Sequence, residues 1–331
     1  MNKLVAMASL GGFTVLATLW LTGRVRAWAL ARAVIDRPNA RSLHVVPTPR
    51  GGGLAIVGVV APLEALLIAT FDVGSAWAWG SWLYVLALAV LGLRDDLGPL
   101  PARLRLVLQF ALAGAWVIGA TSSAGGGPAL LTMFLMVWVV NLFNFMDGTD
   151  GFAVVQAIVA CAAGGVFAYL AHAPAIAAGA WLVAAGCAGF LFWNWAPARI
   201  FLGDVGSYYL GGHFAVACAS VSSGGRVPWT WLILLGPFIV DATLTLVRRV
   251  SAGDAWMQAH RTHAYQLLAT AGWSHRRLAL ALAALLLGWC VPWAIIAVLR
   301  PALAPMSALA CHVVLFALWW RIVRAHLAPT A

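Results

Sequence analysis

The residues with the strongest chemical signature are five aspartates in three short motifs. The motifs are Leu93-Arg94-Asp95-Asp96, Asn141-Leu142-Phe143-Asn144-Phe145-Met146-Asp147-Gly148-Thr149-Asp150-Gly151 and Phe201-Leu202-Gly203-Asp204-Val205-Gly206-Ser207. They contain half of the ten acidic residues in a chain that is 63% hydrophobic and 9% charged. Carboxylates near a membrane cost free energy unless they have partners or a function. Short Asp side chains beside Gly and Asn are suited to a Mg²⁺-assisted phosphate site.

The Asp95-Asp96 pair is followed by Leu97-Gly98-Pro99, a sequence that predicts the end of a helix. Two adjacent carboxylates repel each other unless a cation neutralises them. The pair could therefore hold a metal ion or accept a proton. The alternative is a solvated helix end in which the carboxylates pair with Arg94 or Arg103.

The second motif combines two acidic and two amide side chains at regular spacing. Asp147 and Asp150 are three residues apart, so they share one face if this segment is helical. Asn141 and Asn144 repeat that spacing one turn earlier. Carboxylate and amide oxygens bind hard cations, and an amide can also bind the edge of a nucleobase. The alternative interpretation is that these residues cap two abutting helices.

The third motif follows a proline turn that begins near Asn194, and it opens a helix with Gly203-Asp204-Val205-Gly206-Ser207. Asp204 and Ser207 are equally good helix caps, so the motif alone does not indicate a function. Its combination with the other two acidic motifs favours a functional cluster.

Two basic segments complete the set of candidate residues. The first, residues 37–53, contains Pro47-Thr48-Pro49-Arg50 before three glycines, and the second is His260-Arg261-Thr262-His263-Ala264-Tyr265-Gln266. Both offer cations and hydrogen-bond donors to phosphates. The alternative is ordinary basic loop charge, which does not account for the paired histidines or the three glycines. Glu64 and Asp241, which lie in predicted spans, are left without an assigned role.

The elements that must position these residues are membrane-spanning helices. A mean hydropathy of +0.92 over 331 residues predicts an all-α, polytopic integral membrane protein formed by one domain, residues 1–331. About eleven transmembrane helices are predicted from apolar stretches of roughly 17–22 residues. They lie near residues 4–22, 53–71, 79–93, 106–121, 129–145, 152–170, 175–195, 207–222, 229–247, 278–299 and 305–321.

The distribution of basic residues predicts the orientation of the chain. Alternate loops and the C-terminal tail contain 17 of the twenty Lys and Arg residues, which leaves Lys3, Arg226 and Arg300 for the other side. By the positive-inside rule, the N-terminus is predicted outside and the C-terminus in the cytoplasm. All three acidic motifs then lie at the cytoplasmic face of the membrane, where we expect the active site.

Composition also argues against several classes of function. The net charge of +10 arises from the basic loops and suits anionic headgroups, so nucleic acid is not an expected partner. The five cysteines lie in apolar stretches without paired spacing, which argues against a disulfide framework or a zinc site. A transporter would place acids near mid-membrane and show related halves, and neither feature is evident. A non-catalytic scaffold is disfavoured because all five motif aspartates are present.

Together the motifs resemble the polyprenyl-phosphate N-acetylhexosamine-1-phosphate transferase superfamily, which contains glycosyltransferase family 4 and the peptidoglycan translocase. The similarity is collinear from Asp36 to Gln266. It covers Pro-Thr-Pro-x-Gly-Gly-Gly, Asp-Asp, Asn-x-x-Asn-x-x-Asp-Gly-x-Asp-Gly, Asn-x-x-Pro-Ala-x-x-Phe-x-Gly-Asp-x-Gly-Ser and the last His-containing loop. That loop, His260-Arg261-x-His263-x-Tyr265-Gln266, departs from the triple-His form of the peptidoglycan enzyme and resembles the branch that initiates O-antigen or common-antigen synthesis.

The resemblance implies that a UDP-N-acetylhexosamine donates its sugar 1-phosphate to undecaprenyl phosphate in the bacterial inner membrane, with release of UMP. Two anionic phosphates must approach each other, so catalysis would consist mainly of positioning and charge neutralisation. The implied cofactor is Mg²⁺, with Mn²⁺ as a substitute. Phospho-MurNAc-pentapeptide transfer in peptidoglycan synthesis is the alternative, and the donor sugar and a homodimer are left open.

The resemblance also implies roles for individual residues. Asp204 and Asn144 would hold Mg²⁺, and Asp95 would be a candidate base or would orient the lipid phosphate. Asp96 would support the metal or Asp95. The other implied contacts are stacking of uracil on Phe201, a nucleoside contact from Asp150, phosphate binding by Arg105, His260, Arg261 and His263, and a substrate contact of unassigned role from Asp147.

Overall fold

The computed structural model describes residues 3–38, 42–70, 76–120, 126–219, 227–254 and 260–327. Within these ranges the chain is almost entirely helical, as the sequence predicts. The helices are α1 (Lys3–Ala31), α2 (Gly53–Thr70), α3 (Ala76–Leu97), α4 (Ala102–Ala120), α5 (Gly126–Phe145), α6 (Phe152–Leu170), α7 (Pro174–Asn194), α8 (Gly203–Ala219), α9 (Val227–Leu234), α10 (Gly236–Ser251), α11 (Ala264–Thr270), α12 (His275–Leu285), α13 (Val291–Leu299) and α14 (Ala304–Leu327). A π-helical turn joins α12 to α13, and a 3₁₀ turn precedes α14.

Seven helical segments within the described ranges are long and apolar enough to cross a membrane. They are Gly53–Thr70, Ala76–Leu97, Ala102–Gly119, Phe152–Leu170, Pro174–Asn194, His275–Leu299 and Pro301–Leu327. The expectation of a polytopic helical membrane protein is therefore confirmed. The predicted total of about eleven spans, and the side of the membrane that the acidic motifs face, stay predictions.

The first and the ninth predicted spans differ most from the observed helices. The first, near residues 4–22, lies inside a longer helix that ends at Ala31. The predicted span 229–247 is divided between α9 and α10 at Leu235. Pro237 lies in the first turn of α10 and has no backbone N–H, so a hydrogen-bond ladder cannot continue through it unchanged. A hydropathy profile does not reveal such a break, because it reflects the polarity of side chains and not the presence of backbone N–H donors.

Helix α8 lies at the centre of the bundle, between α3 and α5. Its Phe214 stacks on Phe143 of α5 with ring centroids 5.4 Å apart, and both side chains are buried. At the end that carries the motifs, a Cβ atom at Gly92 would overlap the backbone of Asp204. Glycine at this position therefore allows α3 and α8 to touch through their backbones, which brings their terminal side chains together.

A short antiparallel strand pair covers the same end of the bundle. It consists of β1 (Ile35–Asp36) and β2 (Thr48–Pro49), with Ile35 opposite Pro49. The segment after β2 then pairs with the third motif: the N–H of Gly52 donates to Phe201 O at 2.9 Å, and that of Gly53 donates to Leu202 O at 2.8 Å. The first basic segment is thus fixed beside the start of α8.

Glu64, which the sequence left without a role, is paired inside the bundle. One carboxylate oxygen lies 2.8 Å from Nε2 of His213, and the other accepts a hydrogen bond from the Tyr209 hydroxyl at 3.0 Å. Ionisable groups in a membrane domain are usually paired in this way. The contact joins α2 to α8.

Candidate active site

The ends of α3 and α5 and the starts of α4 and α8 meet at one end of the bundle. Asp95 and Asp96 lie in the last turn of α3, Arg105 in the first turn of α4, and Asp204 in the first turn of α8. Arg105 contacts the carboxylates of both Asp95 and Asp204. Asp96 accepts a hydrogen bond from the backbone N–H of Asp204. Two of the three acidic motifs therefore form one cluster, and the roles of its members stay predictions.

Asp96 binds the start of α8 through its carboxylate. Oδ1 accepts a hydrogen bond from the Asp204 N–H at 3.1 Å, and Oδ2 accepts one from the Val205 N–H at 3.0 Å. The first N–H groups of a helix have no intrahelical acceptor, and the helix dipole favours a negative charge there. Arg50 adds a hydrogen bond to the Asp96 carbonyl oxygen at 2.8 Å. The geometry thus gives Asp96 a positioning contact with Asp204.

Asp95 is 4% exposed and is held by two donors. Its Oδ1 accepts a hydrogen bond from the Leu100 N–H at 2.6 Å, and its Oδ2 accepts one from Nη1 of Arg105 at 2.7 Å. Nη1 also lies 3.9 Å from Oδ2 of Asp204. The Arg105 guanidinium therefore interacts with the carboxylates of both Asp95 and Asp204.

Asn144 joins α5 to the cluster. Its Nδ2 donates to Oδ1 of Asp204 at 2.6 Å and to Oγ of Ser207 at 2.9 Å. The amide nitrogen thus faces Asp204. A cation shared with Asp204 would be bound through the carbonyl oxygen of Asn144, which requires the amide group to rotate. Asn141 has a different partner, because its Nδ2 donates to Oε1 of Gln109 at 2.6 Å.

Residues 146–151 form a non-helical turn between α5 and α6. The condition under which Asp147 and Asp150 would share one helical face is therefore not met. Gly148 and Gly151 have low helix propensity, and Gly151 has a φ of +73°, a left-handed conformation that glycine adopts readily. Gly151 is also the N-cap of α6, so Asp150 lies one residue before the capping position, and its carboxylate contacts Ala198 and His275 instead.

Asp147 is half-buried in a negatively charged environment. Burial, followed by the charges of Asp204, Asp96 and Asp150, raises the pKa of Asp147 well above its usual value. The turn therefore brings the second acidic motif within electrostatic range of the α3–α8 cluster.

Asp150 connects the turn to two other segments. Its Oδ2 accepts a hydrogen bond from the Ala198 N–H at 3.1 Å and lies 3.2 Å from Nδ1 of His275. The Gly151 N–H donates to Oδ1 of Asn194 at 3.0 Å. The sequence gives no signal for His275, because the residue stands in a basic stretch that resembles ordinary loop charge.

Phe201, the predicted uracil platform, is partly exposed beside the cluster. Its ring packs edge-on against His44, with centroids 4.8 Å apart. His44 belongs to the first basic segment, where the sequence drew attention only to cations and glycines. Stacking of uracil on Phe201 stays a prediction.

The second basic segment places its candidate residues in different environments. Arg261 is exposed and His260 is half-buried, whereas His263 is 4% exposed. Nδ1 of His263 lies 3.4 Å from Oδ1 of Asp241. His263 thus faces a buried carboxylate, and the accessible candidate residues of the segment are Arg261 and His260.

His260 is electrically neutral at pH 7. Burial, followed by the electrostatic influence of His263 and two neighbouring arginines, lowers the pKa of His260 to about 4. Its Nδ1 accepts a hydrogen bond from the Thr262 N–H at 3.4 Å. In the neutral ring the proton is therefore on Nε2, which can act as a hydrogen-bond donor to a ligand.

The residues at the α3–α8 junction fit a divalent cation with oxygen ligands. In the part of the chain that the structure describes, no group of three or more His, Cys, Asp or Glu side chains is arranged to hold a metal, and the five cysteines are buried and free. Mg²⁺ at phosphate sites typically binds one or two carboxylates together with substrate phosphates and water. Asp204 and Asn144 offer such oxygens, and a cation would reduce the repulsion between the Asp95 and Asp204 carboxylates, which share the guanidinium of Arg105.

The chain is similar to known proteins over most of its length. A family model described as glycosyl transferase family 4 matches residues 78–222, which include all five motif aspartates. The decaprenyl-phosphate N-acetylglucosaminephosphotransferase of Mycolicibacterium smegmatis is 30% identical over 82% of this chain and 77% of its own length. The probable undecaprenyl-phosphate N-acetylglucosaminyl 1-phosphate transferase of Bacillus subtilis is 29% identical over 80% of this chain and 77% of its own length.

A further relative is named for a different activity. The phospho-N-acetylmuramoyl-pentapeptide-transferase of Desulforudis audaxviator is 28% identical over 74% of this chain and 83% of its own length. These similarities extend well beyond the motifs and confirm the resemblance drawn from them. The chain belongs to glycosyl transferase family 4.

Proposed function

We propose that this protein transfers a sugar 1-phosphate from a UDP-N-acetylhexosamine to undecaprenyl phosphate and releases UMP, which would start assembly of a cell-envelope polysaccharide. The observation that carries the proposal is the connected cluster of Asp95, Arg105, Asn144 and Asp204 at one end of a membrane bundle. Such a cluster supplies the cations, donors and carboxylates that phosphoryl transfer requires. Membership of the family supports the same reaction.

N-acetylglucosamine is the donor sugar that we propose first. The relatives from M. smegmatis and B. subtilis are both named for N-acetylglucosamine and for a polyprenyl phosphate. Phospho-MurNAc-pentapeptide is the second candidate, because the D. audaxviator relative is named for it. The segment His260-Arg261-Thr262-His263 lacks consecutive histidines and so favours the first candidate.

Arg105 and Asp95 would act on the lipid phosphate. The Arg105 side chain is 31% exposed, so its guanidinium can bind a phosphate oxygen while it keeps its 2.7 Å contact with Asp95. Asp95 would orient the phosphate or accept its proton. A phosphate monoester has a second pKa of about 6, so proton removal at neutral pH is a modest requirement and orientation would contribute more.

Mg²⁺ is the proposed cofactor, bound through Asp204 and the carbonyl oxygen of Asn144, with Mn²⁺ as a substitute. When bound it would neutralise charge on the reacting phosphates. Ser207 accepts a hydrogen bond from Asn144, and Asp96 binds the backbone at Asp204. These two residues would therefore hold the ligand oxygens in position.

The direct test is a transfer assay on the purified protein. We would incubate it with undecaprenyl phosphate, Mg²⁺ and a panel of UDP-GlcNAc, UDP-GalNAc, a UDP-activated 6-deoxy N-acetylamino sugar and UDP-MurNAc-pentapeptide, and measure UMP. UMP should appear with an N-acetylhexosamine donor and only when the lipid phosphate is present. Release from UDP-MurNAc-pentapeptide alone would establish the second candidate. Absence of UMP with every donor would contradict the proposal.

We also propose that the cluster faces the cytoplasm from a bacterial inner membrane, with the N-terminus outside. The support is the concentration of 17 basic residues in the loops and the tail on one side. Single cysteines at positions 45, 100 and 262 should react with an impermeant reagent only from the cytoplasmic side, and one at position 225 only from outside. The native cysteines are buried, which limits background labelling. Labelling of positions 100 and 225 from the same side would refute this topology.

Arg261 and His260 should contribute unequally to UDP-sugar binding. Arg261→Ala removes a charge and should weaken binding by about 1.5–3 kcal/mol, whereas His260→Ala removes a neutral donor and should cost about 0.5–1.5 kcal/mol. Calorimetry at pH 8 and pH 6 would measure both effects. Because the pKa of His260 is about 4, its effect should be equal at the two pH values. An effect of His260→Ala that grows towards pH 6 would show instead that the ring binds as a cation.

A further inference from the structure

Asp241 is a buried carboxylate in α10, with 6% of its surface exposed. Its Oδ1 accepts a hydrogen bond from the Ala264 N–H at 2.8 Å, and its Oδ2 accepts one from the Tyr265 N–H at 3.2 Å. These are the first two amides of α11, which have no acceptor within their own helix. A carboxylate suits this position because it presents an acceptor oxygen to each amide.

Further contacts fix Asp241 and the segment that it binds. The Thr245 hydroxyl donates to Oδ1 of Asp241 at 3.1 Å, and Nδ1 of His263 lies 3.4 Å from the same oxygen. About two turns further along α10, Arg248 donates to the Thr262 carbonyl oxygen at 3.4 Å. Helix α10 therefore holds the chain on both sides of His263.

Tyr265 extends this connection to the turn that carries Asp147. Its hydroxyl donates to Phe145 O at 3.0 Å, and its ring stacks on Phe152 with centroids 4.9 Å apart. A Cβ atom at Gly148 would overlap the Tyr265 hydroxyl, so glycine makes room for this contact. Tyr265 thus contacts Phe145 and Phe152, which flank the turn on either side. A displacement of α11 would therefore also shift the turn that carries Asp147.

We propose that Asp241 is a positioning residue that sets the location of His260 and Arg261 relative to the 146–151 turn. It would act through the amides of Ala264 and Tyr265 and would not touch the substrate. The inference rests on the proposed function, because it assumes that this segment binds the UDP-sugar.

Asp241→Asn is the test variant, because it keeps the size of the side chain but replaces one acceptor oxygen with an NH₂ group that opposes an amide donor. We expect the Kd for UDP-GlcNAc to rise about tenfold or more, while kcat at saturating donor changes less than about threefold. The KM for undecaprenyl phosphate should not change. A merely structural role would lower the active fraction, and hence kcat, without this selective change in donor binding.

Asp254→Asn is the matched control, since Asp254 has the same charge but is exposed and pairs with Arg249. It should leave all three constants unchanged. Equal donor affinity in Asp241→Asn and the native protein would overturn the proposal, as would an equal rise in the KM for the lipid.

Hydrogen exchange tests the inference separately from the proposed function. The amides of Ala264 and Tyr265 should exchange about tenfold faster or more in Asp241→Asn, without any ligand present. If the native protein fails to bind UDP-sugars, the proposed function fails, but the exchange result still stands. If Asp241→Asn does not fold, Tyr265→Phe removes only the hydroxyl contact with Phe145 and should also weaken donor binding. Native affinity in Tyr265→Phe would then overturn the proposal.

Discussion

Asp204→Asn should reduce turnover by on the order of 10²–10³-fold or more while the protein still folds in detergent. Asn keeps the size of the side chain but removes the charge that the proposed Mg²⁺ site requires. The Asp204→Asn variant should still fold, because Asp96 contacts backbone N–H groups at the start of α8 and not the Asp204 carboxylate. UMP release as a function of Mg²⁺ concentration would measure the loss.

A second measurement tests whether activity requires a divalent metal ion. Native activity should disappear in EDTA and return with Mg²⁺ or Mn²⁺, and Asp254→Asn should respond as the native protein does. Full turnover in EDTA would contradict a metal requirement. Native turnover in Asp204→Asn would remove this residue from the proposed metal site.

Asp95→Asn should separate chemistry from donor binding. We expect the turnover rate to fall by about 10²-fold, the loss typical of a reacting group that is no longer held in position. The affinity for the UDP-sugar should change by less than about tenfold. The reason is local: the Asp95 carboxylate binds the Leu100 N–H and Arg105, and its charge directs Arg105 towards the proposed lipid-phosphate position.

The test of Asp95→Asn is paired. UDP-sugar binding by calorimetry and UMP release would be measured on the same preparation of the variant, beside Asp254→Asn. If Asp95→Asn weakens UDP-sugar binding more than about tenfold while turnover at saturating donor stays native, the assignment to the lipid phosphate is wrong. The Asp95-Asp96 pair would then belong to the nucleotide pocket.

The sequence by itself determined the class of the protein and the location of its candidate site along the chain. Long apolar stretches require helices, because a membrane interior leaves backbone N–H and C=O groups no other partner. Five aspartates at the ends of such stretches cannot be explained by helix packing alone. The clustering of Asp95 with Asp204 was therefore predictable, and so was the family.

Tertiary structure decided what individual residues do within that site. Asp96 binds amides 108 and 109 positions away in sequence, and no local pattern reveals that its two oxygens are engaged. In the same way, a buried partner in α10 turns His263 away from the surface, whereas Arg261 two residues earlier stays exposed. Residue type determines which contacts a side chain is able to make. Long-range packing determines which of them it makes, because each contact depends on helices that meet only in the folded bundle.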